Sequence, residues 1–299
     1  MPICPVCDAE FPMNNYEDMA YHFHQYAEKS DSLHVSWLNR NITKNKAPHL
    51  DLAQKLAGYY HLSDGDLKNW IIRDFIRRFR GDMPHPFILS MQAYNPDVMK
   101  GYVVEHHHFL KQWIKSCSYV IAKTDFEDVQ SYELDNIMTE LHGYGSEEPS
   151  HHELLIRMGE ALGMSREYIL SEKPLKATAS ATRTWDQLAR NESWIRVMAA
   201  MHSLELIANR DLGRYGAKYQ YFNPDFLLMN NIPTSVKNFL REGYEADVSH
   251  SYIALDLVEK YRKPEDTEGI QYAYLKSVDA FSSYLEARLE RGESFGNKQ

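Results

Sequence analysis

Cysteine is scarce in this 299-residue chain: two residues stand in CPVC at positions 4–7 and a third, Cys117, is alone in WIKSCSYVI. So few thiols exclude a disulfide framework, and Cys117 reads as a buried core thiol. Long hydrophobic runs are missing, since no stretch approaches the roughly 18 uninterrupted apolar residues of a membrane span. Basic residues are outnumbered, 33 Lys and Arg against 42 Asp and Glu. The resulting net charge of −9 repels phosphate backbones and excludes a nucleic-acid partner. No glycine-rich dinucleotide fingerprint, phosphate loop or nucleophile elbow occurs, and there is no internal repeat. The opening MPICPVCDAEF has neither the basic nor the apolar region of a signal peptide, so a cytoplasmic protein is expected.

Alternating strand patterns are almost absent as well. Apolar residues instead recur at three- and four-residue spacing. They predict helices over roughly 50–60, 65–80, 85–94, 97–122, 126–142, 151–163, 183–210, 225–229, 233–261 and 266–290. Pro224 and Pro233 open new segments, and Pro264 follows the helix ending near Tyr261. The fold class expected is all-α: a helical domain over 46–299 behind a small irregular module over 1–45.

In that module CPVCDAEF begins like a zinc knuckle, because two thiolates separated by two residues can grip one tetrahedral ion. Histidines supply the other ligands, giving Cys4, Cys7, His22 and His34, with His24 as the substitute. A redox pair or unrelated cysteines are the alternatives. The spacing resembles a C2H2 finger, with Phe11 four residues after the second cysteine, but the central stretch is longer and the histidine gap wide. No basic recognition helix accompanies it, so a fold staple or protein contact is expected rather than a DNA reader.

The remaining chemistry sits in four helical patterns. GYVVEHHHFLKQWI holds Glu105 and His108 on one face. Glu140 ends one helix and His151 or His152 opens the next. Glu205 lies among Val197, Met198, Met201 and Leu204 with His202 one turn earlier, and Asp247 and His250 precede apolar Ala254 and Leu257. A carboxylate in an apolar stripe is costly unless paired or bound to metal. Successive helices that each donate Glu, Asp and His inward are how bundles build di-iron or di-manganese sites.

The order TELHG…SHHELLIRMGEALGM, then AAMHSLELIANR, then LREGYEADVSHSYIALDLVEKY resembles the heme-oxygenase-like di-iron oxidases and oxygenases. Thiaminase-type proteins and pyrroloquinoline-quinone synthase share that fold. The resemblance covers roughly residues 60–290 and implies a heme-oxygenase-like helical bundle. It implies Glu140, His151, Glu205, Asp247 and His250 as iron ligands, with Glu105 matching an additional Glu found in some members. The family's late motif, His-x-x-x-Asp-x-x-His, has Gly243 where its first histidine belongs. His202, His108 or His152 is then a substitute ligand, or the site holds one metal, or it has lost metal chemistry.

Two functions follow. In the first, Fe(II), as two ions or one, activates dioxygen to oxidise a small, amino-acid-derived substrate in a biosynthetic pathway, with Tyr102, Tyr144 and Tyr244 as substrate contacts. In the second, the protein is a catalytically degraded accessory that binds a partner, with Zn(II) in the cysteine module as contact or staple. A homodimer or a pathway protein is the expected macromolecular partner, and manganese remains open beside iron.

Overall fold

The structure, a computed structural model, describes residues 2–12, 14–43, 47–62, 66–143 and 149–296, with backbone alone for 244–251. Among the described residues thirteen α-helices follow in chain order: α1 Tyr16–Glu28, α2 Ser32–Asn41, α3 His49–Tyr60, α4 Leu67–Phe75, α5 Pro86–Ser90, α6 Pro96–Lys123 and α7 Glu127–His142, then α8 His151–Ala161, α9 Arg166–Ser171, α10 Lys176–Asn191, α11 Trp194–His202, α12 Thr234–Tyr261 and α13 Thr267–Gly296. Short 3₁₀ turns at Ser203–Ile207, Arg210–Tyr215 and Pro224–Leu227 link α11 to α12. The described residues form no strand beyond one isolated bridge between Ile3 and Glu10. The fold is all-α as the sequence pattern predicts, a helical bundle behind a small N-terminal module. No described helix is long and apolar enough to cross a membrane.

The N-terminal module is more regular than expected. Asn15 caps α1 by accepting from the Asp18 amide, and Asp31 caps α2 by accepting from the His34 amide. Phe23 and Trp37 stack between the two helices at 5.2 Å. The module docks on the bundle through Asp8, which accepts from the Tyr272 hydroxyl at 2.8 Å and pairs with Lys276 at 2.8 Å, both on α13.

Helices α6 and α13 form the central pair. A Cβ on Gly101 would lie 2.2 Å from the Arg288 carbonyl oxygen and 2.5 Å from the Gly292 nitrogen. One on Gly292 would lie 2.9 Å from Val98 Cα. The two backbones therefore touch where both residues lack a side chain, and this contact sets the register that brings Arg288 beside Tyr102 and His106.

The helix expected over 183–210 is broken. α10 starts earlier, at Lys176, and ends at Asn191, because Lys123 Nζ donates to the carbonyls of Ala189, Arg190 and Glu192 at 2.6, 2.9 and 2.7 Å. A cation on the free carbonyls of a helix end satisfies them and meets the negative pole of the helix dipole. α11 then restarts at Trp194, and Glu205 lies on the turn that follows it.

Candidate functional site

Two separate groups of ligand-type side chains come together. In the N-terminal module Cys4, Cys7, His22 and His34 each offer one ligand atom, all within 4.8 Å of one another. Cys7 Sγ lies 3.4 Å from His22 Nε2. His34 Nδ1 is 2.7 Å from Asp31 Oδ1, which leaves its buried Nε2 with no partner among the described residues. A carboxylate behind a histidine fixes the tautomer that ligates through the other nitrogen. Burial pushes the Cys4 thiol up to about 12, so a thiolate at that depth requires a cation beside it. Two sulfurs and two imidazoles suit zinc. His24 stands outside this set, with its ring 5.9 Å from that of His49.

The second group lines a cavity of about 100 Å³ inside the bundle, walled by α6, α7, α8, α12 and the turn after α11. Its acidic side holds Glu140, His151, Glu205 and Glu242. His151 sits between two carboxylates, with Nδ1 3.0 Å from Glu140 Oε1 and Nε2 3.5 Å from Glu242 Oε2. The second oxygens of Glu140 and Glu205 are buried with no hydrogen-bond partner among the described residues. Tyr102, Phe109, Trp113 and Phe239 supply an aromatic wall, and Phe239 lies 5.0 Å from the His151 ring. Arg288 and His106 complete the lining on the α6–α13 side.

Behind Glu205 lies a closed polar cluster. His202 Nδ1 is 3.4 Å from Glu205 Oε1 and 3.2 Å from the Tyr132 hydroxyl, and its Nε2 is 2.9 Å from Glu133 Oε1. Burial opposes the His202 charge, but the Glu133 and Glu205 carboxylates outweigh it and hold the imidazole up at about 10. Cys117 adjoins the same group. Burial, then the charge of Glu133, pushes its thiol well up, as suits a core residue.

The sequence-derived residues thus separate. Glu140, His151, Glu205 and Tyr102 share the cavity. Glu105 does not line it: its oxygens accept from Arg291 Nε at 2.8 Å and the Leu175 amide at 3.2 Å, so a salt bridge occupies the carboxylate. Of the substitute ligands, His108 Nε2 meets the Glu172 carbonyl at 3.1 Å and His152 Nε2 meets His107 Nδ1 at 2.8 Å. Neither lines the cavity, and His202 reaches it only through Glu205. Tyr144 lies outside the described residues, as do the side chains of Tyr244, Asp247 and His250, although α12 runs through the last three positions.

Sequence reasoning missed Glu242, Glu133 and Arg288. Glu242 had a readable signal, because it lies one residue from the position where the resemblance expects a histidine. It stands directly before Gly243, the position of the missing histidine, and both residues line the cavity.

The TENA/THI-4/PQQC family model matches residues 72–291, and a C2H2-type zinc-finger model matches residues 1–61. Among solved structures, a domain of unknown function with a heme oxygenase-like fold from Shewanella denitrificans OS217 is 17% identical, with a TM-score of 0.53 over 84% of this chain and 96% of that one. A TenA homolog from Pseudomonas syringae pv. tomato DC3000 is 15% identical, with a TM-score of 0.53 over 80% and 92%. A TenA family transcription regulator from Silicibacter sp. TM1040 is 12% identical, with a TM-score of 0.54 over 78% and 99%. No curated protein sequence matches. The helical bundle that holds the cavity spans the matched residues, and the chain belongs to the TENA/THI-4/PQQC family.

Proposed function

We propose that the cavity is an iron-dependent oxidation site acting with dioxygen on a small organic substrate. The observation that carries this reading is the pair of buried, unpartnered carboxylate oxygens, Glu140 Oε2 and Glu205 Oε2, in one aromatic-lined cavity. Buried carboxylate oxygens need a hydrogen-bond donor or a cation. Carboxylates grouped with an imidazole on separate helices suit iron or manganese.

Glu140, His151, Glu205 and Glu242 would hold the metal, and the family resemblance adds Asp247 and His250. Glu242 would supply the ligand that Gly243 cannot. Iron bound there would supply redox chemistry toward dioxygen. The protein's own groups do the rest. Glu140 orients the His151 ring through its Nδ1 contact at 3.0 Å. Phe109, Trp113 and Phe239 keep bulk water from the reacting centre. The Glu133–His202 pair braces Glu205 from behind.

The test is metal content per chain after anaerobic reconstitution with Fe(II), in the wild type and in Glu140→Gln/Glu205→Gln. The expected result is about two irons and one zinc in the wild type, with the iron lost and the zinc kept in the variant. Zinc without iron in the wild type overturns the reading and leaves a partner-binding accessory protein.

A further inference from the structure

Buried arginines in the bundle show what each guanidinium is for. Arg78 donates to Asp74 at 2.6 Å and Asp279 at 2.7 Å. Arg291 donates to Glu105 at 2.8 Å and Glu172 at 2.7 Å. Arg80 donates to the carbonyls of Asn209 at 2.6 Å and Tyr219 at 2.7 Å, closing a turn.

Arg288 is different. It is 1% exposed and lines the cavity. Its Nη1 donates to the Tyr221 hydroxyl at 2.7 Å, and its Nη2 donates to His106 Nδ1 at 2.8 Å and to the Tyr284 hydroxyl. Its guanidinium lies 4.0 Å from the centre of the Tyr102 ring. Its Nε is buried with no partner, and no carboxylate pairs with it among the described residues. A guanidinium keeps its charge at any working pH, and a buried charge without a counter-charge is costly.

His106 extends the same feature. Its Nδ1 accepts from Arg288, which has no lone pair to offer, so the neutral ring carries its hydrogen on Nε2. Burial, then the Arg288 charge, holds the imidazole well below the usual histidine range. No described residue accepts from Nε2, and the ring lies 6.0 Å from that of His151. The cavity thus carries a fixed cation and a spare donor beside its acidic side.

We propose that Arg288 and His106 form a subsite for the carboxylate of a small organic ligand held in this cavity. A carboxylate there supplies the counter-charge that Arg288 lacks and an acceptor for the His106 Nε2 hydrogen. A volume of about 100 Å³ holds on the order of seven to ten water-sized centres, so the ligand is compact. Tyr102, Phe109 and Trp113 accommodate an apolar body. That this ligand is the substrate rests on the iron reading; that its carboxylate binds at Arg288 does not.

Hexanoate and hexanamide, matched in shape and different in charge, serve as probes, with binding read by calorimetry on the full chain as isolated. The wild type is expected to bind hexanoate about tenfold or more tightly than hexanamide. In Arg288→Met the preference disappears, with the fold checked by circular dichroism, while Arg288→Lys keeps part of it. Equal affinities in the wild type, or no hexanoate uptake at millimolar concentration, overturn the subsite without recourse to any variant. A preference surviving in folded Arg288→Met overturns it too, by placing the anion elsewhere. Iron content of the same preparations after anaerobic reconstitution with Fe(II) separates the two readings: iron without the preference ends the subsite, and the preference without iron ends the oxidase.

Discussion

Gly101 shows how one missing side chain positions a site. Its absent Cβ lets α6 touch the α13 backbone at Arg288 and Gly292, one residue before Tyr102. The atoms a methyl group would meet belong to the backbone and cannot rotate away. Gly101→Ala is therefore expected to destabilise the fold by about 2 kcal/mol or more, read as a lower urea midpoint. Gly58, in α3, has nothing within 4 Å of its ideal Cβ. Gly58→Ala is expected to stabilise by roughly 0.5–1 kcal/mol, and a loss of stability there would show that α3 is not a free helical surface. Asp74 gives a third residue-scale test. It is 5% exposed and holds the 3% exposed side chain of Arg78. Asp74→Ala removes one of that cation's two carboxylates, and about 3 kcal/mol of stability should go with it.

At the scale of elements, α1 and α2 each carry one histidine of a cluster whose ligand types suit zinc. Each is short, 13 and 10 residues, and isolated helices of that length are marginal in water. His22 on α1 and His34 on α2 converge with Cys4 and Cys7, so metal binding energy becomes folding energy for the module. Zinc removal by a chelator is expected to lower helical circular dichroism and to open the amides of α1 and α2 to hydrogen exchange before those of α6. Unchanged protection in α1 and α2 would mean that the Phe23–Trp37 stack orders them without the ion. Asp8 contributes less: its side chain is 57% exposed, and exposed pairs contribute about 0–1 kcal/mol. Asp8→Ala should keep the zinc and shift stability only slightly.

For the whole molecule, buried histidines set the response to acid. Burial holds His85 down at about 4 and, with the nearby Lys111 charge, His107 at about 3. Both stay neutral in the fold while the unfolded chain takes up protons near pH 6.5. The stability these two rings contribute is therefore full above that value and falls as pH drops from about 6.5 toward 4, by about 1.4 kcal/mol per pH unit for each. His202, which despite burial is held at about 10 by the Glu133 and Glu205 carboxylates, instead contributes stability that is lost as pH rises from about 6.5 toward 10. The urea midpoint at pH 5 is expected below that at pH 7, and His85→Gln should flatten part of the decline. A midpoint that does not move between pH 7 and pH 5 would mean that these rings are protonated in the fold.

Sequence pattern reached far where the physics is local. Helical periodicity carried the all-α class, and four ligand residues of two types within about thirty positions carried the cysteine–histidine cluster, because a short chain segment keeps them close whatever else folds. Glu205 was legible because a carboxylate among apolar neighbours needs a reason, and Glu140 with His151 because the family resemblance points to a Glu and a His across a loop. Glu105 shared a helical face with His108 and met a different partner, the guanidinium of Arg291, 186 residues away. The break between α10 and α11 depends on Lys123, whose nearest target is 66 residues away. Arg288 and His106, 182 residues apart, meet because two glycines let their helices touch. Residue types and their spacing along one helix could be read from the chain, whereas the partner each buried charge found depended on close packing between distant helices.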